Sequence, residues 1–173
     1  MAPSRGRAPR QEAHDGPELR GTAVDEAHGL FFTNLEDKDL TLAIDARSHE
    51  VMKRWHPACG EDGPKDLAFA GHLIVVCPER IETLDGNGAT ISKLAVGDGL
   101  DLIDYIPARH QIVAAAGTAA VLVVAALAAD GTLTATATIP TLPGARNAVA
   151  AEDGTIFVED GPAGAILVYP PTR

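Results

Sequence analysis

The chain has 173 residues, 46% of them hydrophobic, and a formal net charge of −10. That length suits one domain with a real core, and the apolar content argues against a disordered chain. The acidity excludes general nucleic-acid binding, which depends on Lys and Arg neutralising phosphates. The longest apolar run, Ala119 to Ala129, falls well short of the roughly 20 residues that span a bilayer.

The charge is uneven. Arg5, Arg7, Arg10 and Arg20 nearly balance Glu12, Asp15 and Glu18 at the N-terminus, so the acidity lies in the rest of the chain. Residues 1–17 hold three Pro and two Gly with almost nothing large and apolar, and read as a flexible tail. Met1 to Gln11 lacks the apolar segment of a secretory signal.

From Leu19 onward the periodicity is that of strands. The runs at Leu30–Phe32, Leu73–Val76, Gln111–Ala114 and Thr155–Val158 match one another. They recur about every 40 residues, the spacing of four-stranded propeller blades. Each follows a shorter apolar run, at Thr22–Val24, Leu67–Phe69, Leu102–Asp104 and Asn147–Val149. Turns at Asp85-Gly86-Asn87-Gly88, Asp130-Gly131 and Asp153-Gly154 interrupt any helical period. The Ala-rich stretch 114–129 competes for helix on propensity, but Val121, Val123 and Val124 are β-branched and favour a buried strand.

The sequence therefore predicts an all-β fold, a partial β-propeller over residues 18–173. Four blades of antiparallel strands are expected at about 19–56, 65–96, 100–139 and 146–170. With strands lettered A (innermost) to D (outermost), the fourth blade has a strand C at Ala165–Tyr169 but no strand D, which leaves an edge to be paired or covered. Open end faces of this kind predict self-association.

Cys59 lies in the loop leading into strand A of the second blade, and Cys77 ends its strand B. In a hairpin those positions share one end, which suits the ~4.4–6.8 Å Cα separation of a disulfide. Two reduced thiols remain the alternative.

The segment Phe31-Phe32-Thr33-Asn34 resembles the Tyr-Val-Thr-Asn repeat of the YVTN, or YncE-like, bacterial β-propellers. The similarity continues through Leu35–Asp39, Ile44-Asp45, Trp55, Cys59, Gly63-Pro64, Leu67-Ala68, Cys77 and Leu84-Asp85. It resumes at Gly97-Asp98-Gly99, Pro140-Thr141, Pro143–Arg146 and Ala148, and covers roughly residues 20–170. The resemblance implies the C-terminal blades of a larger ring, usually seven-bladed, whose last outer strand comes from upstream sequence; two copies completing one ring, or four blades closing alone, are the alternatives. It also implies a periplasmic or secreted location.

In a propeller the D-to-A and B-to-C connections share one face and build the usual binding site. Here they supply Asn34, Glu36, Asp37, Asp101, Arg146, Asn147 and Asp160 as candidate ligand-binding residues, with His56, Glu61, Lys65, Asp98 and Glu159 nearby. Asp and Asn also serve turns through bonds to nearby backbone. Glu36, Asp37, Asp101 and Asn147 are oxygen donors of the type Ca²⁺ takes, and propeller lactonases of similar architecture hold such an ion at the ring centre. No local calcium-loop spacing accompanies them. The histidines show no ligand spacing, Gly-x-Ser-x-Gly is absent, and Gly86-Asn87-Gly88 lacks the Lys and helix of a nucleotide loop. Two readings follow: a non-catalytic module binding a small molecule or protein on its loop face, with no cofactor, or a Ca²⁺-dependent hydrolase of lactones or sugar derivatives.

Overall fold

The computed structural model describes residues 18–171; the tail read over 1–17 lies outside them. The described residues form fifteen strands. The first sheet contains β1 (Leu19–Asp25), β2 (Leu30–Leu35), β3 (Leu40–Asp45) and β4 (Val51–Trp55). The second contains β5 (Asp66–Phe69), β6 (Leu73–Cys77), β7 (Arg80–Leu84) and β8 (Thr90–Ala95). The third contains β9 (Leu100–Ile106), β10 (Gln111–Ala116), β11 (Val121–Leu127) and β12 (Leu133–Pro140). The last has three strands, β13 (Ala145–Ala150), β14 (Ile156–Asp160) and β15 (Ala165–Tyr169).

Every sheet is an antiparallel meander in chain order, and the innermost strands β1, β5, β9 and β13 neighbour one another in succession. That is the arrangement of propeller blades around an axis. Among the described residues the fourth blade has no outer strand, as its sequence predicts. The Ala-rich stretch resolves into β10, a turn and β11, because its Val and Leu side chains pack on both faces of the third sheet.

Burial follows blade position. The second strands of the middle blades, β6 and β10, are buried along nearly their whole length, since a neighbour covers each face. In β14 burial alternates residue by residue, because one face packs on the third blade and the other faces outward. Three apolar layers fill the spaces between blades. The first joins Phe32, Ala43, Leu67 and Val75, the second Ile74, Ile81, Ile112 and Leu127, and the third Val113, Leu122, Ile156 and Val158.

Polar staples register the blades. Asn34 Nδ2 donates to the Asp66 carbonyl (3.2 Å), Asp66 Oδ2 accepts the Ile103 N–H (3.1 Å), and Asp104 Oδ2 accepts the Ala150 N–H (2.9 Å). Between the outer strands, Thr83 Oγ1 donates to the Gly131 carbonyl and Ser92 Oγ accepts the Leu133 N–H. The bulge in β1 is Gly21, at φ +58°, and a Cβ there would lie 2.7 Å from Asp66 Cα. Only glycine lets the first two inner strands approach so closely.

Candidate functional site

The loop face is formed by the β4–β5, β8–β9 and β12–β13 connections and by the turns between second and third strands. On its first-blade side it is an ion cluster. Glu36, in the short 3₁₀ turn Glu36–Lys38, meets the Lys65 ammonium through Oε1. Arg20 Nε lies 2.6 Å from Glu36 Oε2, close enough for an ion pair though not aligned as a hydrogen bond. The Glu36 carboxylate raises the Arg20 guanidinium above its ordinary value, with Glu18 and Asp101 adding smaller effects. Lys38, 2.8 Å away, lowers Asp37, helped by the Glu18 N–H donated to its carboxylate. Burial pushes the Asp66 carboxyl up, and half-buried Asp101 adds to that rise.

The β4–β5 connection is tied down at several points. Cys59 and Cys77 are joined by a disulfide with Cα atoms 5.0 Å apart. The Cys59 N–H donates to Asp39 Oδ1 (3.0 Å), and Arg80 Nη2 donates to the Pro57 and Ala58 carbonyls. Gly63, at φ +58°, sits where a Cβ would come 1.9 Å from the Glu36 carbonyl oxygen. The loop is thus pressed against the first blade's B–C turn.

Two of the residues read as loop-face ligands make structural bonds. Asn34 is fully buried, accepting from Thr41 Oγ1 (2.8 Å) while its amide staples the second blade. Asp160 is buried too, and its Oδ1 accepts the Ala163 N–H within the β14–β15 turn. Both side chains are thus engaged in the architecture of the blades. The calcium donor set is not assembled either. Glu36 is neutralised by two cations, Asp37 turns to Lys38, and Asn147 is in the fourth blade. Among the described residues no group of three or more His, Cys, Asp or Glu could hold a metal ion.

What remains is a loop-face cavity of about 640 Å³ between the third and fourth blades, lined by Gly99, Thr118, Pro143, Arg146, Glu159 and Pro162 among others. The Gly117 N–H donates to Gly99 and the Gly144 N–H to Gly117, so three successive connections form one wall. Arg146 is exposed and pairs with no described residue. Its cross-strand neighbour Glu159 instead accepts from Asn147 Nδ2 (2.9 Å). Asn147 is the bulge residue of β13, at φ +58°, and its buried Oδ1 has no partner among the described residues.

A second cavity, of about 480 Å³, opens on the opposite face between the first and second blades. Phe32, Trp55 and Phe69 wall it, with Asp25 and His28 at one end and Lys53 at the other. The sequence reading missed it. Its only signal was the presence of four of the chain's seven aromatic residues in the first two blades, three of which line it.

No protein-family profile and no curated protein matches the sequence. Solved structures do match in fold. A chain in the crystal structure of the mitotic checkpoint complex aligns with TM-score 0.74 and 14% identity, over 93% of this chain and 51% of that one. The WD40 β-propeller domain of Doa1 aligns with TM-score 0.72 and 17% identity, over 94% and 53%. A functionally unknown protein from Desulfotomaculum acetoxidans gives 0.66 and 13%, over 91% and 58%. The chain spans little more than half the length of each. These likenesses establish a β-propeller architecture of about half the matched length.

Proposed function

We propose that the chain is a non-catalytic β-propeller binding module of the YncE-like kind. In this reading it holds a small molecule or a partner segment by an anionic group, in the loop-face cavity between the third and fourth blades. The observation that carries the reading is the Arg146 guanidinium, exposed at a cavity of about 640 Å³ and paired with no described residue. Such a volume lies within the ~300–1,000 Å³ of small-molecule sites, and a planar guanidinium is suited to bidentate capture of a carboxylate. The resemblance of Phe31–Asn34 and its flanks to the YVTN repeat supports the family and an exported location. The hydrolase reading loses its support with the dispersal of its oxygen donors.

Thermal melting with glutarate and with Ca²⁺ tests the proposal. Glutarate at a hundred times its Kd adds about 2.7 kcal/mol, a rise of about 5–11 °C for a domain of this size. Arg146→Gln should abolish that rise while keeping the unliganded melting temperature. A Ca²⁺-dependent stabilisation removed by Asp101→Ala and Asn147→Ala would instead restore the hydrolase.

A further inference from the structure

The cavity on the opposite face has the features of a built site. Phe32 and Phe69 lie 5.6 Å apart at 17°, and Phe32 and Trp55 6.3 Å apart at 28°, so three nearly parallel rings form its walls. Leu30, Leu73 and Leu84 also line it. At the inner end stands Asp25, only 6% exposed. Its Oδ1 accepts the His28 N–H (3.2 Å) and so belongs to the turn after β1. Its Oδ2 is held at 2.6 Å by His28 Nδ1, whose side chain is 76% exposed. At the outer end the Lys53 ammonium donates to the Gly86 carbonyl and lies 5.9 Å from the Trp55 ring centroid.

We propose that this cavity is a separate ligand site, which takes a planar aromatic ring carrying a primary amine. The ring packs against this aromatic wall and beside Leu30, Leu73 and Leu84, where aromatic contact adds to the burial of apolar area. The ammonium points inward and takes Asp25 Oδ2 in place of the His28 ring, making a charge-assisted bond in a poorly hydrated setting. The reverse orientation brings the amine against Lys53. A carboxylate is repelled at the Asp25 end and meets only the solvent-exposed Lys53, whose ammonium already donates to Gly86, so the buried end selects the amine and its direction.

Trp55 is the chain's single tryptophan, so its fluorescence reports occupancy directly. The full chain is titrated with phenethylamine, 2-phenylethanol and phenylacetate. Phenethylamine should give a saturable response with at least tenfold tighter binding than the other two. Asp25→Asn keeps the turn acceptor and should bring phenethylamine to within about twofold of 2-phenylethanol, whose own affinity stays unchanged. Should that variant fail to fold, His28→Ala serves instead, because loss of the competing ring should tighten phenethylamine binding. The proposal is overturned by an absent saturable response, by equal affinity for the three compounds, by an amine preference that survives Asp25→Asn, or by unchanged binding in His28→Ala.

Discussion

Reduction of the Cys59–Cys77 bond is the perturbation whose size follows most directly from the structure. The two residues are 18 apart in sequence, and opening a loop of that length in the denatured ensemble removes about 3 kcal/mol of stabilisation. For a domain of 150–250 residues that lowers the melting temperature by about 6–12 °C. Both cysteines are buried, at 7% and 0% exposure, so the reduced protein is best prepared by refolding in reductant.

The loss should also be local. Propeller blades contact chiefly their neighbours, so a change in one interface spreads weakly. The bond holds the β4–β5 connection against the first blade, where the Cys59 N–H donates to Asp39, and against β6, where the Lys65 N–H donates to Val76 (2.8 Å). Hydrogen exchange at Cys59, Gly63 and Lys65 should therefore accelerate on reduction, while amides of β13 and β14 hold their protection. A melting shift below about 2 °C, or acceleration shared equally by all four blades, would refute this reasoning. So would two titratable thiols in the denatured, unreduced protein.

Four further outcomes are expected. Asp66 has its carboxyl raised by burial, so its contribution favours folding below the ordinary carboxylate value and is lost as pH rises through the folded value. Asp66→Asn, which still accepts from Ile103, should leave stability at neutral pH unchanged or higher in urea melts, and a clear loss there would count against a burial cost. Asp45, Asp85, Asp130 and Asp153 are lowered mainly by backbone N–H donors in their turns. Their stabilisation is present above about pH 4 and fades as pH falls through the lowered values, so urea midpoints should drop on acidification, and an unchanged midpoint at pH 3 would sink the assignment. Gly63→Ala drives a Cβ into the Glu36 carbonyl at positive φ and should cost more than about 1 kcal/mol by the same melts. The outward face of the fourth blade, with Val149, Phe157, Ile166 and Val168 each at least 37% exposed, should self-associate. Light scattering should then report a mass above 18.0 kDa that Phe157→Glu with Val168→Lys returns to the monomer value.

The blades were legible because each strand carries its own evidence. The apolar runs at Leu30–Phe32, Leu73–Val76, Gln111–Ala114 and Thr155–Val158 recur about every 40 residues, and Asp-Gly pairs mark turns between strands. The candidate site was far less legible. Asn34 looks the same in sequence whether it faces solvent or, as here, bonds a carbonyl 32 residues away. Asp160 looks like a loop carboxylate, and only the packed turn places it inside. The aromatic cavity is assembled from β2, β4 and β5, so no local window contains it.

The same facts decide where function should be sought in this acidic chain. Most of its notable carboxylates are occupied by architecture. Asp66 and Asp104 register the inner strands, Asp45, Asp85 and Asp130 close outer turns, and Glu36 binds two cations. Glu82, fully buried, holds Arg80 at 2.5 Å and Lys93 at 3.0 Å. A buried charge so paired is costly to disturb, which makes it a poor participant in chemistry. The polar groups still open to exchange lie elsewhere: the guanidinium of Arg146, paired with no described residue, on one face, and Asp25 Oδ2 behind an exposed histidine ring on the other. They have opposite charge and sit in cavities of different lining, so a ligand that suits one is rejected by the other. The two proposed sites therefore call for ligands of opposite charge.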